Sequence, residues 1–333
     1  AELWLIMQSI KKRFNILKNC KIAMEIDPRF FEQNLTIILN DCGFNRISIG
    51  VQDFSQSVQA LINRKQSFEI TKETVNHLRE NNISNINIDL IYGLPKQTIQ
   101  TFTDTLEKIN TLKPDQISAF GYAHVPWMKK HQRLIKVKPL DNEYRLKFYR
   151  LASHYFLSNG YEPFGIDHYA AKSSSVIRNL KNRKLQRNFQ GYTEDDAEIL
   201  IGIGASSISY LPDGYVQNIT RIADYIRSLK KNKLPTLKGY KLKKEDKIYS
   251  IVIKELMCYL NVDLKQVAKK FSKDTNLFSS NIIKLKPFID AGFVDFHNFV
   301  LSINPEARPL VRIICSVFDQ YFEPKTNRYS FGI

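Results

Sequence analysis

Carboxylate, amide and imidazole side chains recur at the ends of apolar runs in the first half of this 333-residue chain. Glu25 lies in "KIAMEID", Gln52 closes "RISIGVQ", Asp89 lies in "NINIDLIYG", His124 in "QISAFGYAHV" and Asp167 in "EPFGIDHY". A carboxylate accepts hydrogen bonds from both hydroxyls of a ribose, the task that dinucleotide sites also give to an acidic residue. Arg64, ending "LINR", carries a permanent cationic fork that suits a carboxylate partner. Taken alone it reads as a surface arginine that ends a helix. Asp167 and His168 are neighbours, and as residue types they serve equally as a substrate-facing pair, a proton relay or a structural hydrogen-bonded pair. Further along, "RNFQGYTEDD" (187–196) sets Gln190 between Phe189 and Gly191, in a segment too short and too mixed in polarity for core. In isolation it reads as a surface turn with two aromatics folded under it. The glycines of "LIGIGASSIS" (200–209) would let backbone approach an adenine or a carboxylate closely.

These residues need elements to hold them. Apolar runs near 21–27, 46–52, 85–93, 116–125 and 162–169 alternate with helix-period segments near 31–42, 55–64, 71–82, 99–112 and 142–159. Asp141 is placed to cap the last helix and Gly160 to stop it. Such alternation predicts a parallel sheet wrapped by helices, whose strand ends converge on one mouth. Five polar residues in register at those ends favour a shared pocket. The count falls short of a full barrel, so a partial parallel (β/α) barrel is predicted. The chain opens at Ala1 inside a helical pattern, "ELWLIMQSIKKRFNIL", and one or two strand–helix units are expected to precede it.

The lysine-rich stretch "KKNKLPTLKGYKLKKEDK", 230–247, contains proline and glycine and reads as a solvated linker. It separates a predicted barrel and active-site segment, 1–229, from a mainly helical domain, 248–333. Helices are predicted over 244–260, 263–271 and 276–290, then the hairpin "FVDFHNFVLSINP" and a helix around 306–322. Three helices and a two-stranded wing have a winged-helix shape, which often binds DNA. The third helix, "NLFSSNIIKLKPFIDAG", has no arginine and few base-reading residues, so a packing domain that covers the barrel is expected and nucleic acid is not.

Bulk properties bound the rest. With 43% hydrophobic residues the chain has a sizeable core, and no apolar run is long enough to span a bilayer, so no membrane partner and a cytoplasmic location are expected. Cys20, Cys42, Cys258 and Cys315 are too scattered for a disulfide framework or a metal motif, and the six histidines show no helical ligand pair. The net charge of +16 permits nucleic acid, an acidic surface or a polyanionic small substrate without choosing among them.

Taken together and in order, "MEIDPR" (24–29), "RISIGVQDF" (46–54), "LINR" (61–64), "NIDLIYGLPKQT" (87–98), "FGYAHVP" (120–126), "GIDHYA" (165–170) and "RNFQGYT" (187–193) resemble the oxygen-independent coproporphyrinogen III oxidases. These are radical S-adenosylmethionine enzymes of bacterial haem synthesis. The resemblance runs over nearly the whole chain. A related group of haem-chaperone-like radical enzymes shares the barrel motifs, but has an Asn-Tyr-Ala segment in place of "GIDHYA" and a His-Asn…Tyr-Trp segment in place of "RNFQGYT".

The resemblance implies a radical-SAM-type partial barrel that carries a [4Fe–4S] cluster on three cysteines and two S-adenosylmethionine molecules. Cleavage of the cluster-bound molecule gives a 5′-deoxyadenosyl radical, which takes hydrogen from a substrate propionate. Loss of carbon dioxide and one electron leaves a vinyl group, and two such events yield protoporphyrinogen IX. By resemblance Glu25 holds the ribose of the cluster-bound cofactor, and Gln52, Arg64 and Asp89 contact the second one. Ala123 and Ile208 touch the cofactors through backbone and apolar contact, and Gln190 lies beside the second cofactor and the substrate. Asp167 and His168 are candidates to face the porphyrinogen. The implied partners are coproporphyrinogen III, whose four propionates would match the positive charge, and a reductase of unknown identity; a monomer is expected. The family's Cys-x-x-x-Cys-x-x-Cys motif and Gly-Gly-Thr-Pro segment do not occur among these residues. The expectation is that the natural gene encodes the cluster loop upstream of Ala1 and that the present residues alone are inert. A non-catalytic binder of haem or nucleic acid is the alternative.

Overall fold

The computed structural model of the chain describes residues 2–323. These fall into two compact units, divided between Arg178 and Asn179. The division thus lies well before the 229/230 boundary predicted from composition. Residues 324–333, the end of the predicted C-terminal domain, lie outside the described residues.

The first unit runs α1 (Glu2–Arg13), β1 (Ala23–Ile26), α2 (Gln33–Cys42), β2 (Arg46–Gln52), α3 (Gln56–Leu61), α4 (Phe68–Glu80), β3 (Asn85–Tyr92), α5 (Ile99–Leu112), β4 (Gln116–Gly121), α6 (Asn142–Ser158), β5 (Tyr161–Phe164) and β6 (His168–Ala171). Its single sheet has the order β1-β2-β3-β4-β6-β5. The first four strands are parallel, as the alternation predicts. Period-two patterning decides which face is core. Ile47, Ile49 and Val51 of β2 and Ile86, Ile88, Leu90 and Tyr92 of β3 are all buried, and they pack with Phe102, Leu106, Phe148 and Phe156 from the helices. Each buried Ile or Leu contributes roughly 1.5–3 kcal/mol by leaving water.

Local signals set the helix ends. The Thr98 and Thr101 side chains form a reciprocal cap on α5. Asp141 Oδ1 accepts from Tyr144 N at 2.7 Å to cap α6, as predicted, and Gly160 follows its C-cap at φ +88°.

The fifth predicted strand is not one parallel strand. "EPFGIDHY" is broken at Gly165, φ +59°, and its two halves form β5 and β6, antiparallel to each other and β6 antiparallel to β4. Pro163, which has no N–H to give a ladder, sits on the edge strand β5. The turn at 165–167 nevertheless lies at the C-terminal end of β4, because Ala119 N donates to Asp167 O at 2.8 Å.

Helix α7 (Ser175–Lys181) spans the division. The second unit holds the hairpin β7 (Gln186–Asn188) and β8 (Gly191–Thr193), then β9 (Ile208–Leu211), β10 (Gly214–Asn218), α8 (Ile222–Lys230) and β11 (Thr236–Lys241). It continues with α9 (Lys244–Tyr259), β12 (Asn261–Asp263), α10 (Leu264–Lys270), α11 (Ser279–Asp290), β13 (Val294–His297), β14 (Val300–Ile303) and α12 (Val311–Ser316). The predicted linker is corrected here: its middle forms β11, the antiparallel partner of β10. All six residues of β11 are exposed, and its lysines blunt an open sheet edge, which explains why the composition mimics a linker. Gly214 makes the pairing possible, since a Cβ there would come 2.0 Å from Tyr240 O. The winged-helix pattern forms with one addition, the short strand β12, which turns the hairpin into a three-stranded sheet ordered β12-β14-β13. The helix predicted around 306–322 is a 3-10 turn (Pro305–Leu310) followed by α12.

Candidate active site

In the first unit the sheet face away from the helix core carries the polar residues. Strand register sets Glu25, Ser48, Asn87 and Gln116 in one row and Gly50, Asp89, Ser118 and His168 in the next. Asp89 is fixed by two donors, Ser48 Oγ at 2.9 Å and Asn87 Nδ2 at 2.8 Å. Asn87 is held in turn by Ser118 Oγ, which donates to its Oδ1 at 3.2 Å. Arg46 donates to Gln116 Oε1 at 2.9 Å, and burial holds its guanidinium below the ordinary value while the Asp89 carboxylate opposes that shift.

Gly50 is the opening in this face. A Cβ there would come 3.1 Å from both Arg64 Nη2 and Gln52 Nε2, so the missing side chain is what lets the guanidinium and the amide lie over β2. Gln52 takes a left-handed backbone, φ +71°, at a register shift between Gly50 and Gln52, a conformation costing on the order of 1–3 kcal/mol that functional sites commonly carry. Arg64 Nη2 donates to Gly50 O at 2.6 Å and Nη1 to Asp27 Oδ2 at 3.0 Å. Its Nε is buried and has no partner among the described residues.

Two buried side chains hold the loops that carry these groups. Asp53, fully buried, accepts from Gln97 Nε2 and from Ser55 N, both at 2.5 Å, and Gln97 Oε1 accepts from Gly93 N at 2.6 Å. The loops after β2 and β3 are thereby locked together. Burial pushes the Asp53 carboxyl up to about 6, against the opposing bonds from Gln97, Ser55 and Thr105. Gln59 closes the same loop by donating to Asp53 O at 2.9 Å and accepting from Gln66 N at 2.9 Å.

Asp167 and His168 are paired, with Oδ1 and Nδ1 2.8 Å apart, and His168 lies edge-on to Phe120 at 5.5 Å. Ala123 follows β4 with its carbonyl fixed by Gln132 Nε2 at 3.0 Å. His124 Nδ1 meets Tyr122 Oη at 3.1 Å. Burial, and then Asp167, raise the Tyr92 hydroxyl well above its ordinary value, so it stays protonated.

In the second unit Gln190 sits at the two-residue tip between β7 and β8. Asn188 Oδ1 accepts from Gln190 N at 2.8 Å and from Gly191 N at 3.2 Å, and Gly191 adopts φ +141°. The hairpin base is tied to α9 by Tyr192 Oη to Met257 O at 3.1 Å and Lys254 Nζ to Gln186 Oε1 at 2.9 Å. Phe189 is exposed at the tip rather than folded under it. Ile208 opens β9. The close approach predicted for the glycines is to the chain itself: a Cβ on Gly202 would come 2.7 Å from Ile208 O. Asn218 Nδ2 donates to Gly202 O at 3.1 Å and Gly204 O at 2.9 Å, which fixes the loop in front of Ile208.

Glu25, Gln52, Arg64, Asp89 and His168 thus share one region of the first unit's sheet, with Ala123 and Asp167 on its end loops, while Gln190 and Ile208 belong to the second unit. Sequence reasoning passed over Asp27, Arg29, Gly50, Asp53 and Gln97, although all five stand inside the quoted motifs. Gly50 had a usable signal, a glycine interrupting a β-branched strand. A shallow hollow of about 460 Å³ lined by Phe68, Asp104, Glu107, Lys108 and Thr111 lies on the helical layer and adjoins none of these groups.

A bound S-adenosylmethionine fits the groups gathered around Gly50: carboxylates for a ribose diol, and for a carboxylate a guanidinium whose Nε has no partner among the described residues. An iron–sulfur cluster does not fit the described residues. They contain no group of three or more His, Cys, Asp or Glu that could hold a metal, and burial pushes the Cys258 and Cys315 thiols up to about 12.

The radical SAM superfamily pattern matches residues 2–109. An oxygen-independent coproporphyrinogen III oxidase of Bradyrhizobium diazoefficiens is 39% identical over 329 residues, 98% of this chain and 73% of that one. The protein of that name from Escherichia coli strain K12 is 34% identical over 334 residues, 100% of this chain and 73% of the other. The solved structure of coproporphyrinogen III oxidase from Escherichia coli, described as a radical SAM enzyme, superposes with a TM-score of 0.92 at 33% identity, covering 96% of this chain and 74% of that one. The fold is therefore that of a known enzyme family, and this chain belongs to the oxygen-independent coproporphyrinogen III oxidases.

Proposed function

We propose that the protein decarboxylates two propionates of coproporphyrinogen III oxidatively to vinyl groups, giving protoporphyrinogen IX in haem synthesis, and that the polar sheet face binds S-adenosylmethionine for this reaction. The observation that carries the reading is the convergence of the Arg64 guanidinium and the Gln52 amide over Gly50, beside Asp89. Two S-adenosylmethionine molecules are part of the proposal: Glu25 takes the ribose of one, and Gln52, Arg64 and Asp89 take the second. Ala123 and Ile208 give backbone and apolar contact. When bound, S-adenosylmethionine supplies the hydrogen-abstracting radical.

The chain's own residues do the positioning. Asp89 already has its lone pairs oriented by Ser48 and Asn87, so it meets a ribose diol without reorganising. The Arg64 fork binds a methionyl carboxylate through charge-assisted bonds. His168, held by Asp167, faces the sheet interior next to Ser118, where it orients the substrate or moves a proton at its imidazole. Gln190, on a tip fixed by Asn188, is the second unit's candidate for contact with the substrate. The cluster that the family requires is not matched to ligands here, and no step on these residues runs through it. A cytoplasmic monomer supplied with electrons by a separate reductase completes the proposal.

The test is anaerobic reconstitution of the protein with iron and sulfide, followed by incubation with S-adenosylmethionine, a reductant and coproporphyrinogen III. Carbon dioxide release and cofactor cleavage that rise with substrate support the proposal. Haem retention without turnover would instead mark a haem chaperone.

A further inference from the structure

Asp27 is used by nothing in the reading above, yet its carboxylate accepts from both Arg29 and Arg64. Its two oxygens are gripped by the Arg29 fork: Nε at 3.0 Å from Oδ1 and 3.2 Å from Oδ2, and Nη2 at 2.7 Å from Oδ2. Arg29 N donates to Oδ1 as well, at 3.1 Å, so Asp27 caps the short 3-10 turn Pro28–Phe30 that follows β1. Oδ2 also accepts from Arg64 Nη1 at 3.0 Å. These bonds hold the Asp27 carboxyl below its ordinary value, the side-chain bond from Arg29 being the largest cause. Arg29 is itself steadied by stacking over Phe30, 5.3 Å from the ring centre.

We infer that Asp27 is a positioning residue for Arg64, and that the Asp27–Arg29 pair acts as a neutral clamp that aims the Arg64 guanidinium at the carboxylate of S-adenosylmethionine. The inference rests on the reading that Arg64 takes that carboxylate. A lone carboxylate beside Arg64 would compete with the carboxylate of the ligand for the guanidinium and repel it. Arg29 changes the balance. It cancels the charge of Asp27 but leaves Oδ2 as an aligned acceptor. With Nη1 on Asp27, in the turn after β1, and Nη2 on Gly50 O, in β2, the two ends of the guanidinium are fixed from two different elements, which lowers the ordering cost on binding.

The test measures binding of two probes, S-adenosylmethionine and the carboxylate-free 5′-deoxy-5′-methylthioadenosine, by calorimetry on the chain described here. Arg64→Ala should weaken S-adenosylmethionine about 10-fold to 100-fold and leave the second probe within about twofold. Asp27→Ala and Asp27→Asn should each weaken S-adenosylmethionine alone, about 3-fold to 10-fold, and Arg29→Ala should do the same by leaving an uncancelled negative charge beside the ligand. Asp27→Asn keeps an acceptor for Arg29 N, so it guards against a local folding loss. An Asp27→Ala protein that binds S-adenosylmethionine as well as the parent or better overturns the inference, because the carboxylate is then a bystander or a competitor. Equal weakening of both probes also overturns it, since the effect is then structural. If Arg64→Ala itself fails to discriminate between the probes, it is the assignment of Arg64 that falls.

Discussion

The two units build their candidate site residues in opposite ways. In the first, the candidate side chains are themselves aimed by groups of the sheet end: Ser48 and Asn87 hold Asp89, and the Asp27 carboxylate and the Gly50 carbonyl hold Arg64. In the second, side chains hold backbone: Asn188 fixes the tip that presents Gln190, and Asn218 fixes the glycine loop in front of Ile208. The difference predicts where damage is felt. A change on the sheet face should act on ligand affinity with little cost to folding, whereas a change in the second unit should act through loop geometry.

The largest effect is expected from Gly50→Val. Valine suits a strand, but its side chain would occupy the space of Arg64 Nη2 and Gln52 Nε2, each 3.1 Å from the Cβ position. Calorimetry should show S-adenosylmethionine affinity falling by about 10-fold to 100-fold. The melting temperature should move by only a few degrees.

Next is the pH dependence of the loop lock. Asp53 titrates at about 6 in the folded protein against an ordinary 3.8, so the native state binds the extra proton between these values. Its contribution is full below pH 4 and is lost as pH rises through about 6, amounting to at most ~3 kcal/mol. Urea unfolding at pH 4.5 and 7 should show Asp53→Asn trailing the parent protein more at the lower pH. A gap that widens toward pH 7 would show that Asp53 is stabilising as a carboxylate.

Smaller effects belong to the second unit. Asn188→Ala removes the acceptor for two backbone N–H groups and should cost about 1 kcal/mol in denaturant unfolding. Gln190→Ala removes an exposed side chain and should leave stability within about 0.5 kcal/mol, while turnover of the reconstituted protein falls. If instead Gln190→Ala unfolds the hairpin, the tip is structural and its place in the site is lost.

Alternation made most of the first unit legible. β2 and β3 were readable because Ile47, Ile49, Ile86 and Ile88 alternate with polar residues, and the same period put Ser48, Asn87 and Asp89 on one face. β5 and β6 were misread as one strand because a positive φ at Gly165 is a conformational choice, and a lone glycine in an apolar run does not declare it. β11 was hidden by its own edge chemistry, lysines and a glycine that look like a linker. Asp27 and Arg29 were in view but mute, since their meaning depends on Arg64, 37 residues away from Asp27 in sequence. The roles proposed for Gln190 and Ile208 rest on the family resemblance alone, because a hairpin tip and the first residue of a short strand leave no period to read.

Whether the groups gathered over Gly50 hold S-adenosylmethionine is tested most directly by a crystal structure of the reconstituted protein with that ligand. The account expects a methionyl carboxylate on Arg64, with Asp27 still clamped by Arg29, and ribose hydroxyls on Asp89. Ligand density elsewhere, with Arg64 bonded only to Asp27 and Gly50, would contradict it.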